Sequence, residues 1–78
     1  MKLYYRPTCP YCIKVVLFAR ENDIAIDLRD ISTNEADYNE LLSLGGKQQV
    51  PFLVDEKAGV SMYESDDIIA YLKETHGK

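Results

Sequence analysis

Lys2-Leu3-Tyr4-Tyr5-Arg6-Pro7-Thr8-Cys9-Pro10-Tyr11-Cys12 decides the reading of this chain, because it sets a cysteine pair where a strand hands over to a helix. Lys2 to Tyr5, rich in Leu and Tyr, reads as a strand, and it stops at Arg6-Pro7-Thr8, where Pro7 removes a ladder donor. A helix is predicted from Pro10 to about Asn22, since proline suits the first helical position, where an N–H would be unpaired anyway. Ile13, Val16, Leu17 and Arg20 keep helical spacing, and Val15 and Phe18 widen the apolar surface enough to imply burial on two sides. Ile24, Ile26 and Leu28 alternate with Ala25 and Asp27, the pattern of a second strand. A strand–helix–strand crossover is right-handed, so these two strands should be parallel.

Further along, Ser32 followed by Glu35 is a capping-box signature and opens a second helix. Tyr38, Leu41 and Leu42 form its apolar stripe, and Gly45-Gly46 offers left-handed positions that end it. Phe52-Leu53-Val54 behind Pro51 reads as a short strand, Asp55 to Gly59 as a turn, and Val60 to Tyr63 as the returning strand of a hairpin. Ser65 is the expected N-cap of a last helix, with Asp66 and Asp67 complementing its dipole and Ile68, Ile69, Leu72 and Thr75 facing inward. The order β-α-β-α-β-β-α implies an α/β fold, with a four-stranded mixed sheet and helices on both faces.

Composition excludes several function classes. The 78 residues are 46% hydrophobic and 28% charged, which suits one compact globular domain over 1–78 and leaves no room for a second. Thirteen acidic residues against nine basic ones, with no Lys/Arg cluster, argue against a nucleic-acid partner. The apolar runs are too short to span a membrane, and Met1 to Arg6 has no signal-peptide core, so a cytoplasmic monomer is expected.

The only cysteines are Cys9 and Cys12. A disulfide between them would close too short a loop to stabilise the chain, so the pair points to chemistry. A cysteine at a helix N-terminus feels unpaired N–H groups and the positive end of the dipole, which favour the thiolate nucleophile. Cys9 is therefore expected to attack. Cys12, within the first helical turn, should be more buried and able to reach Cys9 to resolve a mixed disulfide. Structural zinc needs four ligands, and Cys9, Cys12 and His76 fall short; His76 reads as a solvated tail residue and no metal is expected.

Cys9-Pro10-Tyr11-Cys12 after a Tyr-containing strand resembles the active site of dithiol glutaredoxins, which have a thioredoxin-like fold. Val50-Pro51-Phe52-Leu53 extends the resemblance. Tyr63-Glu64-Ser65-Asp66-Asp67-Ile68 and Tyr71-Leu72 are similar to the N-terminal domain of glutathione S-transferases. The combination is similar to the glutaredoxin domain of glutaredoxin-2-type bacterial enzymes, over nearly the whole chain.

The resemblance implies that Pro51 is cis and faces the cysteines, turning the N–H and C=O of Val50 toward a peptide-like ligand. It also implies a glutathione site. At the start of the last helix, Ser65 and free N–H groups would hold a carboxylate, and Glu64 or Asp66 would meet the α-ammonium of the γ-glutamyl end. Arg6, Lys47, Gln48 and Gln49 are the candidates for the glycine carboxylate, although glutaredoxins often carry Thr where Gln49 stands. Tyr11 would be an apolar wall beside the sulfur. The implied activity is glutathione-dependent thiol–disulfide exchange, with glutathione as co-substrate, disulfide-containing or glutathionylated proteins as partners, and no tightly bound cofactor. Two alternatives stand beside it: a glutathione-ligated iron–sulfur cluster carrier, and a stand-alone domain of the glutathione S-transferase type.

Overall fold

Leu3 and Tyr4 are neighbours in sequence, point to opposite faces of their strand, and are both fully buried. Such a strand must be covered on both sides, and the computed structural model, which describes residues 1–75, places it inside the sheet. The elements are β1 (Lys2–Tyr5), α1 (Pro10–Glu21), β2 (Asp27–Asp30), α2 (Glu35–Gly45), β3 (Phe52–Asp55), β4 (Val60–Met62) and α3 (Ser65–Thr75). His76 lies outside the described residues.

The four strands form one mixed sheet in the order β2-β1-β3-β4. β1 pairs parallel with β2, with Leu3 opposite Leu28, as the crossover rule requires. It pairs antiparallel with β3, and β3 with β4 as a hairpin. On one face Leu3 and Leu53 pack with Val15 and Val16 of α1 and Ile68 and Leu72 of α3. On the other, Tyr4 and Phe52 pack with Ile31 and with Leu41 of α2. The buried Tyr4 hydroxyl donates to the Glu40 carboxylate on α2, which satisfies it and pulls the carboxyl below its ordinary range.

Three local readings change. The second strand starts at Asp27, after Ile24 and Ile26. After α1 the Ile24 N–H donates to Ala19 O (2.8 Å) and the Asp23 N–H to Arg20 O (3.2 Å), with Asp23 left-handed at φ 54°. This Schellman-type exit uses up the residues around Asp23, and Ile24 and Ile26 pack on the α1/α3 core from the connection. The strand is then set by the register Lys2–Asp27 at the sheet edge, where polar residues are tolerated.

The second helix is capped by Asn34, whose side chain accepts the Asp37 N–H at 3.2 Å; Ser32 instead donates its N–H and hydroxyl to Asp30 (2.9 and 2.6 Å). An Asx-type turn at Asp30 thus takes the residue that the capping-box pattern claimed. Finally, the first helical bond of α3 runs from the Ile68 N–H to the Glu64 carbonyl (2.9 Å), so Glu64 stands at the cap position and Ser65 is the first helical residue. No helix among the described residues is long and apolar enough to cross a membrane.

Candidate active site

Cys9 is the N-cap of α1, in extended conformation (φ −89°, ψ 115°), with Pro10 starting the helix. Its N–H closes a turn on Arg6 O, and its carbonyl accepts the Ile13 N–H, both at 3.1 Å. The thiol makes no capping bond, and the first turn of α1 holds no acidic residue. Cys9 is half-buried, Cys12 is completely buried, and both are free thiols.

Burial pushes the Cys12 thiol up from 9.0 to about 12; the neighbouring Cys9 thiol acts in the same direction, while Arg6 opposes it through a backbone hydrogen bond and its charge. The two cysteines are thus unlike: one reachable by solutes, the other held protonated within reach of its partner. Iodoacetamide at neutral pH is expected to add one group, on Cys9, with Cys12 labelled only on unfolding; mass spectrometry reads both. Because the folded state keeps the Cys12 proton longer, that contribution to stability is present below pH 9 and is lost as pH rises towards 12. Thermal melts should therefore show alkaline destabilisation that Cys12→Ala lessens.

Beside the dithiol helix is a cleft of about 370 Å³. Tyr11 of α1 forms one wall and is 64% exposed, as a ligand-facing aromatic needs. Gln49, Val50 and Pro51 form a second, with the Val50–Pro51 bond cis. Tyr63, Glu64, Ser65 and Asp66 close it at the start of α3. Sequence elements far apart in the chain are thereby brought to one place, since the sheet order sets β3 beside β1 and returns the chain into α3.

The charged candidates divide. Glu64 takes only a long bond from Gln49 Nε2 (3.5 Å), whereas Asp66 is paired with Lys14 at 2.6 Å across the α1–α3 contact. Ser65 is buried, and because the helical ladder starts at the Ile68 N–H, the N–H groups of Ser65, Asp66 and Asp67 precede it. Arg6 and Lys47 do not line the cleft. Arg6 is exposed in the turn before Cys9, and the Lys47 ammonium stands 5.6 Å from the centroid of the Tyr63 ring. Gln48 is exposed and likewise outside the lining.

Two residues take places at the cleft that the local sequence pattern does not give. The pattern puts Tyr63 in the returning strand, yet it follows β4 and lines the cleft, its ring tilted 35° against Phe52 with centroids 4.5 Å apart. The pattern makes Gly45-Gly46 a single helix stop. Gly46 does adopt φ 77°, but Gly45 is helical, and a Cβ there would overlap the Tyr63 hydroxyl and stand 2.8 Å from its Cζ. The one available signal was a hydroxyl-bearing aromatic directly before Glu64-Ser65.

The family model described as "Glutathione S-transferase, N-terminal domain" matches residues 3–78. Glutaredoxin 2 of Escherichia coli K12 is 32% identical over the whole chain, which spans 35% of that protein. A glutathione S-transferase 1-6 from Anopheles dirus species B superposes with a TM-score of 0.82 at 30% identity, over all of this chain and 37% of its own. A thioredoxin-like protein superposes at a TM-score of 0.77 and 26% identity, over 94% of this chain and 93% of its own, and the fold is thioredoxin-like. The chain thus spans about a third of the length of the curated relatives it matches. On the match from residue 3 to residue 78, this chain belongs to the glutathione S-transferase N-terminal domain family.

Proposed function

We propose that this chain is a glutathione-dependent thiol–disulfide oxidoreductase of the glutaredoxin type, working in a reducing compartment such as the cytoplasm. The observation that carries the reading is the unlike cysteine pair: Cys9 half-exposed at the α1 N-terminus and Cys12 buried within its reach, on either side of Tyr11, which lines the cleft. The Cys9 thiolate attacks the glutathionyl sulfur of a mixed disulfide, forming a Cys9–glutathione disulfide and releasing the substrate thiolate, which takes up a proton. A second glutathione thiolate attacks that bond and leaves as glutathione disulfide, restoring Cys9. Alternatively Cys12 loses its proton and attacks Cys9, releasing glutathione and giving the Cys9–Cys12 disulfide, which two further glutathiones reduce. Tyr11, Val50 and Pro51 flank the tripeptide, Glu64 meets its α-ammonium, and Ser65 with the α3 N–H groups holds its α-carboxylate. The Lys14 pair makes Asp66 the weaker partner for that ammonium.

A transferase reading is favoured by the family match and by the transferase structure that superposes. A resolving cysteine has no role in it. The test is NADPH oxidation coupled through glutathione reductase, with a glutathionylated small disulfide as substrate. Turnover that depends on both glutathione and this chain supports the proposal. No turnover, together with conjugation of an aryl halide that Cys9→Ser leaves unchanged, would replace it by the transferase reading.

A further inference from the structure

We propose that Tyr63 is a positioning residue of the cleft, aiming the Lys47 ammonium at the glycine carboxylate of bound glutathione. The inference rests on the glutathione reading above and adds to it the residue that sets recognition of one end of the ligand. The charged residues lining the cleft, Glu64 and Asp66, are both acidic; beyond the start of α3 the Gln49 amide can donate to a second carboxylate, and a cation for it must come from outside the lining. Lys14 is engaged by Asp66, and Arg6 lies in the turn ahead of Cys9. Lys47 is also outside the lining, but its ammonium stands over the ring of Tyr63, which lines it.

Two contacts with one residue hold it. The Tyr63 hydroxyl accepts the Lys47 backbone N–H at 3.2 Å, and the Lys47 ammonium lies 5.6 Å from the centroid of the same ring, within cation–π range. A flexible four-carbon side chain is thus held at its base and at its head, which lowers the entropy lost when a ligand arrives. The ring itself cannot drift. It packs on Phe52, which is 1% exposed and adjoins Pro51, and its hydroxyl occupies the space that the missing side chain of Gly45 leaves. Tyr63 thereby links the end of α2, the 46–50 loop and the cleft wall.

The test is equilibrium binding of S-methylglutathione and of its glycine ethyl ester, which differ only in the carboxylate that Lys47 would meet. The wild-type chain is expected to prefer the free acid by about five- to tenfold, the scale of one partly solvated charge-assisted contact. Lys47→Gln should bring the ratio to about one, because the cation is gone. Tyr63→Leu, lacking ring and hydroxyl, should do nearly the same, and Tyr63→Phe, which keeps the ring, should fall between. A merely structural role for Tyr63 would weaken acid and ester alike and leave the ratio at its wild-type value. That result in the Tyr63 variants overturns the inference, as does an unchanged ratio in Lys47→Gln. Should Tyr63→Leu fail to fold, Tyr63→Phe decides by the same criterion. Equal binding of acid and ester by the wild type overturns this inference alone. Binding of neither, with no turnover in the coupled assay, removes the glutathione reading and the inference with it.

Discussion

Cys9→Ser is expected to lower glutathione-coupled reduction of a mixed disulfide by roughly three orders of magnitude or more, to the uncatalysed rate. The substitution is nearly isosteric at a half-exposed cap position, so the fold should stand and the loss should lie in chemistry alone. A serine hydroxyl is not ionised at neutral pH and cannot form the mixed disulfide. Cys12→Ser should behave differently. Glutathione itself can resolve the Cys9–glutathione bond, so this variant should keep most of its activity on a small glutathionylated substrate. It should lose reduction of a protein's internal disulfide, where the bound substrate must be released by a second thiol of the enzyme. Cys12 is fully buried, so a serine there also buries a more polar group, a cost that the Arg6 backbone hydrogen bond offsets only in part. Cys12→Ala separates that cost from the redox role. Equal loss in the Cys9 and Cys12 variants, or full activity in Cys9→Ser, would refute the assignment of nucleophile and resolving thiol.

Gly45→Ala should destabilise the chain and damage the cleft together, although the glycine is not part of the lining. The added Cβ would overlap the Tyr63 hydroxyl, stand 2.8 Å from its Cζ and 3.2 Å from Phe52 Cζ. Overpacking of this kind costs about 1–3 kcal/mol. Alanine's helix preference returns up to about 1 kcal/mol, less at a last helical position, so the net sign is destabilising. A melting temperature lower by roughly 4–8 °C per kcal/mol is the first readout. Tyr63 must also swing off Phe52 and release the Lys47 N–H, so affinity for glutathione should weaken. Tyr63→Leu removes the atoms in collision, and the double variant should therefore lose less stability than the two single losses added. Simple additivity would show that Gly45 does not act through Tyr63.

The resemblance and the local pattern reached most of the cleft lining. Tyr11, Gln49, Val50, Pro51, Glu64, Ser65 and Asp66 were all legible and all line one cleft. The reason is that the Cys9-Pro10-Tyr11-Cys12, Val50-Pro51 and Glu64-Ser65 blocks each sit at an element boundary, where proline, cap residues and free N–H groups impose requirements within a few residues. The misread boundaries have the same origin. At Ser32 and at Ile24 two local patterns competed, and contacts with Asp30 and Ala19 decided between them.

By itself, then, the sequence determined the element order, the parallel crossover, the dithiol at the start of α1 and the chain segments that would meet it. Periodicity and turn chemistry act over one or two turns, and those properties need no more. Which side chains share a contact was decided only by the tertiary structure: Lys14 takes the Asp66 carboxylate, Tyr63 fills the space above Gly45, and the Lys47 ammonium stands over the Tyr63 ring. Those pairs are separated by some 16 to 52 positions in sequence. They form because close packing admits one arrangement of rings and charges on the finished sheet, and no local pattern records it.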